Sequence, residues 1–163
     1  MDALRWLRHW FHAPASRAFP PETMQAIRNA IAEGEARHDG EICFAVEARL
    51  PPRFMLGGRG ARARAENVFG ELRVWDTERR TGVLIYILLA DHTIEIVADR
   101  GVAARVPAQA WDRVTALMVD KFREGDWRGG ALAGIHATHV LLAHRLPPVA
   151  GKRDELPDQP IIL

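Results

Sequence analysis

Residues 82–101, GVLIYILLADHTIEIVADRG, constrain the fold more than any other stretch of the chain. The segment opens as a near-continuous apolar run from Val83 to Leu89. It then alternates, with Ile94, Ile96 and Ala98 on one side and Thr93, Glu95 and Val97 on the other. A short unbroken apolar run predicts a central strand covered by helices on both faces. Alternation predicts a half-exposed strand at the edge of the same sheet. Only Asp91 and His92 separate the two runs, so they read as a tight antiparallel hairpin. The segment stops on Asp99-Arg100-Gly101, which places an acid, a base and a glycine where the edge strand leaves the sheet.

The flanking sequence supplies the remaining layers. PPETMQAIRNAIAEGEARHDG reads as a helix opened by Pro20-Pro21, striped by Met24, Ile27 and Ile31, and closed by a left-handed Gly40. Ile42 to Val46 is apolar on both faces and reads as a second buried strand, with Cys43 an inert thiol inside it. Ala65, Val68, Leu72 and Trp75 mark a helix against the core. Trp111, Val114, Met118 and Phe122 mark another, opened by Pro107 and ended by Gly125, and Leu132, Ile135, His139 and Leu142 mark a third. A strand–helix–strand crossover makes the first two strands parallel. The predicted fold is a three-layer α/β/α sandwich with a small mixed sheet, two parallel strands plus an antiparallel hairpin edge strand. Residues 1–19 read as an N-terminal amphipathic helix, 20–147 as the domain, and 148–163 as a Pro-rich charged tail. That tail is either disordered or laid along a surface through Ile161, Ile162 and Leu163.

Bulk properties narrow the function. The 163-residue chain carries a formal net charge of +1, which does not favour nucleic acid, and its single cysteine excludes an intramolecular disulfide. No segment has the roughly 20 apolar residues that a membrane-spanning helix needs, and no signal peptide is visible, so a soluble cytoplasmic protein is expected. MDALRWLRHWFH has Leu4, Leu7, Trp10 and Phe11 at helical spacing, with Arg5, Arg8, His9 and His12 around them. Such a helix packs on its domain or a partner, or contacts an anionic membrane peripherally through residues 1–13. Arg49, Arg53, Arg59, Arg62 and Arg64 come without an intervening acid; they form a solvated surface, the start of the next helix, or an anion patch.

The predicted topology has a chemical consequence. The two parallel strands enter the sheet at one edge, and the hairpin strand leaves at that edge. The loops His38–Glu41, Trp75–Gly82 and Asp99–Gly101 should therefore meet. They gather Asp39, Glu41, Asp76, Glu78 and Asp99 beside Arg79, Arg80 and Arg100. Carboxylates at such a rim can hold Ca²⁺ or Mg²⁺, and arginines can grip an anion in fork geometry. Glu41, Asp76 and Asp99 are the candidate metal ligands and Arg80 and Arg100 the candidate anion-binding residues. Exposed loop-end salt bridges are the alternative. His136 and His139 share a helix face and read as a core or boundary pair rather than a metal site. There is no phosphate loop, no G-x-S-x-G elbow and no H-E-x-x-H, and Ser16 is the only serine, so no catalytic residue is assigned.

Three segments taken in order, EARHDGEICFAVEARL, RVWDTERRTGVLIYILLADHTIEIVADRGVAARVP and KFREGDWRGGALAGIHATHVLLAHRLP, resemble the TPM domain family in its short bacterial form. The resemblance covers roughly residues 20–147. It implies an α/β/α sandwich, divalent-metal binding with Ca²⁺ or Mg²⁺, and the phosphatase label that some members carry. It matches the acidic residue after the first glycine to Glu41, the loop before the central strand to Asp76–Gly82, and the turn after the hairpin to Asp99–Gly101. Two functions are expected from it. One is an accessory domain that binds a protein partner, including a membrane protein. The other is a metal-assisted phosphatase of phosphomonoesters.

Overall fold

The computed structural model describes residues 9–10, 12–56 and 60–163. The elements run α1 (Ala15–Ala18), α2 (Pro21–Glu35), β1 (Glu41–Glu47), α3 (Pro52–Leu56), α4 (Ala61–Glu71), β2 (Gly82–Leu88), β3 (Thr93–Ala98), α5 (Arg100–Ala103), α6 (Ala108–Arg123), α7 (Trp127–Arg145) and β4 (Ile161–Ile162). They form an α/β sandwich around one four-stranded sheet of order β3-β2-β1-β4. β1 and β2 are parallel, Glu41 facing Gly82 and Glu47 facing Leu88, while β3 runs antiparallel to β2. β4 pairs parallel to β1 on its free side, Ala45 facing Ile161.

Alternation along the strands divides the core into two. Ile42, Phe44, Val46, Val83, Ile85 and Ile87 pack on Ile27 and Ile31 of α2, Val114 and Met118 of α6, and Ile135 and Leu142 of α7. Cys43, Ala45, Leu84, Tyr86 and Leu88 face the other way, onto Phe54 of α3, Ala65 and Val68 of α4, and Leu156 of the tail. All residues of β1 and β2 are buried; the apolar runs 42–46 and 83–88 account for this, and the two acids at the ends of β1, Glu41 and Glu47, are buried against basic partners. Fully burying each large aliphatic side chain contributes about 1.5–3 kcal/mol, so these two strands are the main anchor of the fold. The Cys43 thiol is pushed up to about 12 by burial and stays protonated. No helix among the described residues is long and apolar enough to cross a membrane.

Several details differ from the sequence expectation, each for a local reason. The hairpin loop is four residues, not two. The Leu89 and Ala90 amides donate to the Glu47 and Ala48 carbonyls at the end of β1, so pairing with β3 begins only at Leu88–Thr93. Gly40 does not close α2 in a left-handed turn. Its N–H donates to His38 Nδ1, and a Cβ there would meet Leu142 at 2.8 Å. Trp75 is outside the core at 47% exposure, because Arg73 adopts φ 54° and turns Val74 inward instead. The chain can fold back this closely because Gly82 has no Cβ, which would lie 1.9 Å from the Val74 carbonyl oxygen. His9 is buried. It accepts from the Leu50 N–H at Nδ1 and bonds Asp91 through Nε2 at 2.9 Å. The remainder of the N-terminal amphipathic segment, residues 1–8 and 11, lies outside the described residues.

Candidate functional site

The three loops do converge at one sheet edge. The Glu41 N–H donates to the Thr81 carbonyl, the Asp99 N–H to Gly82 and the Gly101 N–H to Arg80. Arg79 Nη1 reaches Asp39 Oδ1 at 2.7 Å, tying the first loop to the second. Gly101 is required here: a Cβ would stand 2.4 Å from the Arg79 carbonyl oxygen and 2.6 Å from that of Arg80. Arg80 itself takes φ 57°, and the buried Thr77 hydroxyl fixes the loop by accepting from the Thr81 N–H.

The side chains brought to this edge do not share one centre. Asp76 is exposed and pairs with Arg73 at 2.6 Å. Asp99 Oδ1 accepts from the Arg100 N–H at 2.7 Å, and its Oδ2 is buried without a hydrogen-bond partner. Glu41 is fully buried and points to the C-terminal segment. Glu41, Asp76 and Asp99 therefore do not offer oxygens within 4.8 Å of one another. A divalent ion needs convergent oxygen ligands, and this trio does not fit one. Arg80 and Arg100 are exposed on the lip, and neither guanidinium has a partner among the described residues. The exposed Trp75 ring opens the same loop as Arg80, with the Arg73 guanidinium 5.7 Å from its centroid.

The groups that surround Glu41 come from α2 and the tail. Lys152 Nζ stands 3.0 Å from Glu41 Oε1 and donates to the carbonyls of Gly40 at 2.9 Å and Glu35 at 3.2 Å. Glu41 Oε2 has the Glu155 and Leu156 N–H groups at 3.4 Å. Glu35 Oε1 accepts from the Ile42 N–H at 2.7 Å. Carboxylate oxygens of Glu35, Glu41 and Asp154 all lie within 4.8 Å of one another. Burial, then the neighbouring Glu41 charge, pushes Glu35 up to about 9, so it is protonated at neutral pH. Burial also raises Glu41, against the opposing pull of Lys152. Sequence reasoning missed Glu35, Lys152 and Asp154. One signal was available: Glu35 continues the Ile27–Ile31 stripe at a spacing of four, an acid on the buried face of its helix.

Two other buried polar clusters are closed. His139 pairs with His38, not with the exposed His136. The Gly40 N–H donates to His38 Nδ1, which leaves His38 Nε2–H to donate to His139 Nδ1 at 2.7 Å and His139 Nε2–H to the Ala30 carbonyl at 3.0 Å. Burial lowers His38 to about 3 and His139 to about 4, so both are neutral. On the far half of the sheet, Arg64 forks onto Glu47 at 2.9 and 3.0 Å and also reaches Asn67 and Glu71, while the Tyr86 hydroxyl donates to Glu47. Within the arginine run, Arg64 is buried and Arg62 bonds Glu66 and the Ile96 carbonyl, Arg49 and Arg53 are exposed, and Arg59 lies outside the described residues.

A sequence profile of the TPM domain matches residues 15–140. The BA42 protein of the psychrophilic bacterium Bizionia argentinensis has a similar solution structure. It is 29% identical, with a TM-score of 0.76 over 87% of this chain and 93% of that one. The N-terminal domain of a protein from P. gingivalis shares the fold at 14% identity, with a TM-score of 0.63 over 77% of each chain. No protein of curated function matches the sequence.

Proposed function

The chain belongs to the TPM domain family, and from that premise we propose that it is a non-catalytic accessory domain that docks an acidic segment of a protein partner on its arginine lip. The observation that carries this reading is the pair Arg80 and Arg100. The two are brought together by the Gly101–Arg80 backbone bond, and both are exposed with no guanidinium partner among the described residues. Arginine in this state presents a planar donor fork that suits carboxylates. Trp75 on the same loop adds an exposed aromatic anchor, and Trp and Arg are the residue types that dominate binding at interfaces. Three of the five carboxylates of the edge are occupied internally, Asp76 by Arg73, Asp39 by Arg79 and Glu41 by Lys152, while Asp99 keeps one buried oxygen without a partner. A phosphatase needs some of them free to hold a metal or to activate water.

Two measurements test the reading. Titration with a short poly-glutamate peptide, followed by amide NMR shifts, should perturb residues 75–82 and 99–101. Arg80→Ala with Arg100→Ala should weaken that binding by at least about tenfold, as loss of two charge-assisted contacts requires. Hydrolysis of a generic phosphomonoester with Mg²⁺, Mn²⁺ or Ca²⁺ should stay at background in the wild type and in Asp99→Ala alike. Metal-dependent turnover abolished by Asp99→Ala would make the protein an enzyme and refute the accessory reading.

A further inference from the structure

We propose that the free edge of β3 docks an extended segment of a partner protein, which joins the sheet as a further strand with apolar and basic side chains in alternation. β3 ends the sheet, paired with β2 alone. Its register decides which backbone groups face outward. The Asp99 N–H donates to the Gly82 carbonyl, Val97 stands opposite Leu84 and Glu95 opposite Tyr86, so these odd-numbered residues exchange hydrogen bonds with β2. Ile94, Ile96 and Ala98 therefore turn their N–H and carbonyl groups away from the sheet. The Ile96 carbonyl accepts from Arg62 Nη1 at 2.7 Å, in keeping with that direction. The N–H groups of Ile94, Ile96 and Ala98 have no partner among the described residues. Such a row of donors and acceptors at strand spacing is complementary to one thing, another extended backbone.

The space beside this edge selects the side chains. A groove of about 430 Å³ runs between β3 and α6, lined by Ile94, Ile96, Val106 and Trp111 and carrying Glu95 and Asp112. An added strand lies about 4.8 Å from its neighbour and alternates its side chains between the two faces. Residues opposite Ile94 and Ile96 face α6 and meet the apolar wall of Val106 and Trp111. The residue between them falls opposite Glu95, on the face of α4. The carboxylates there outnumber the bases: Arg62 bonds Glu66 at 2.9 Å and stands 3.8 Å from Glu95, and the exposed Asp112 side chain has no partner among the described residues. A lysine or arginine of the incoming segment meets unlike charge. A second copy does not, because two β3 strands paired about a twofold axis bring Glu95 to Glu95 or Arg62 to Arg62. Arg62 guards the edge meanwhile, and it must leave the Ile96 carbonyl before a strand pairs there. The inference is independent of the arginine lip, which repels a basic peptide.

The experiment titrates the full chain with an acetylated, amidated Val-Lys-Val-Lys-Val-Lys peptide and follows amide hydrogen exchange by NMR. Saturating peptide should slow exchange at Ile94, Ile96 and Ala98 by at least about tenfold, while Glu95 and Val97, already bonded to β2, change less. That alternation is the signature of strand addition, and binding on an apolar surface does not produce it. Glu95→Lys should weaken the lysine peptide by at least about threefold and favour the Val-Glu-Val-Glu-Val-Glu peptide in its place, as reversal of one cross-strand charge pair requires. The exchange pattern is read in the wild type, so it stands even if Glu95→Lys folds poorly. Unchanged exchange at Ile94, Ile96 and Ala98 with millimolar peptide overturns the proposal. So does protection of these amides that grows with protein concentration in the absence of peptide, which would make the occupant a second copy.

Discussion

The His38–His139 pair gives a quantitative prediction about acid. Its hydrogen bonds need both rings neutral: each has one N–H and one acceptor nitrogen, and all are used. With His38 lowered to about 3 and His139 to about 4, the unfolded chain binds more protons than the fold between those values and 6.5. The stability they contribute is therefore complete above pH 6.5 and is lost as pH falls below it. For His38 alone, going from pH 7.5 to 5 removes about 2 kcal/mol, at 1.36 kcal/mol per pKa unit. Wild-type data by themselves would hide this. Glu35, raised to about 9, works in the opposite sense: its stability is lost as pH rises from 4.5 towards 9, so acidification strengthens it. The perturbation is accordingly His38→Asn, whose side-chain oxygen can still accept from the Gly40 N–H. The variant leaves His139 Nδ1 buried without a donor, costing about 1–3 kcal/mol at pH 7.5. It no longer carries the His38 proton penalty, and Glu35 cancels in the difference. Urea unfolding at pH 7.5 and 5 should show the gap between wild type and variant shrinking by about 2 kcal/mol, or roughly 4–8 °C in melting temperature. A gap that is constant or widens on acidification refutes the neutral relay.

Two further predictions concern packing and charge. Gly101→Ala places a Cβ against two carbonyls that belong to a fixed loop, so it should cost on the order of 1–3 kcal/mol and shift the amide resonances of residues 79–82. An unchanged melting temperature would mean the loops are not held together there. Arg64→Met leaves Glu47 buried without its bidentate partner and should cost about 3–5 kcal/mol, whereas Tyr86→Phe, which leaves that partner in place, should cost about 1 kcal/mol. Equal losses measured by denaturant unfolding would contradict the arrangement.

The fold was legible because it rests on period and length. Val83 to Leu89 lacks alternation because both faces are buried, and that one property placed β2 in the centre and β3 at the edge. The meeting of the Asp39, Arg79 and Asp99 loops followed from topology alone. Side-chain direction did not. Whether Asp76 faces Glu41 or Arg73 depends on the left-handed turn at Arg73, which nothing in the local sequence demands. Lys152 was hidden for a different reason. Its segment is rich in proline and charge, so its composition resembles disorder, and its order comes from a few long-range contacts such as Lys152–Glu41 and Leu163–Val46. His139 could be assigned to the core from its stripe, but its partner His38 lies in a different segment, beyond the reach of helix periodicity.

The pairing of Ile161 and Ile162 alongside Ala45 and Val46, continued by the Leu163 N–H to the Val46 carbonyl, caps a row of backbone groups on an exceptionally apolar strand. Without it, β1 would present an open ladder, the geometry through which sheets recruit foreign strands and grow into aggregates. The last residues therefore protect the molecule from its own copies. Their removal should show first as self-association that rises with concentration, before any loss of helical content.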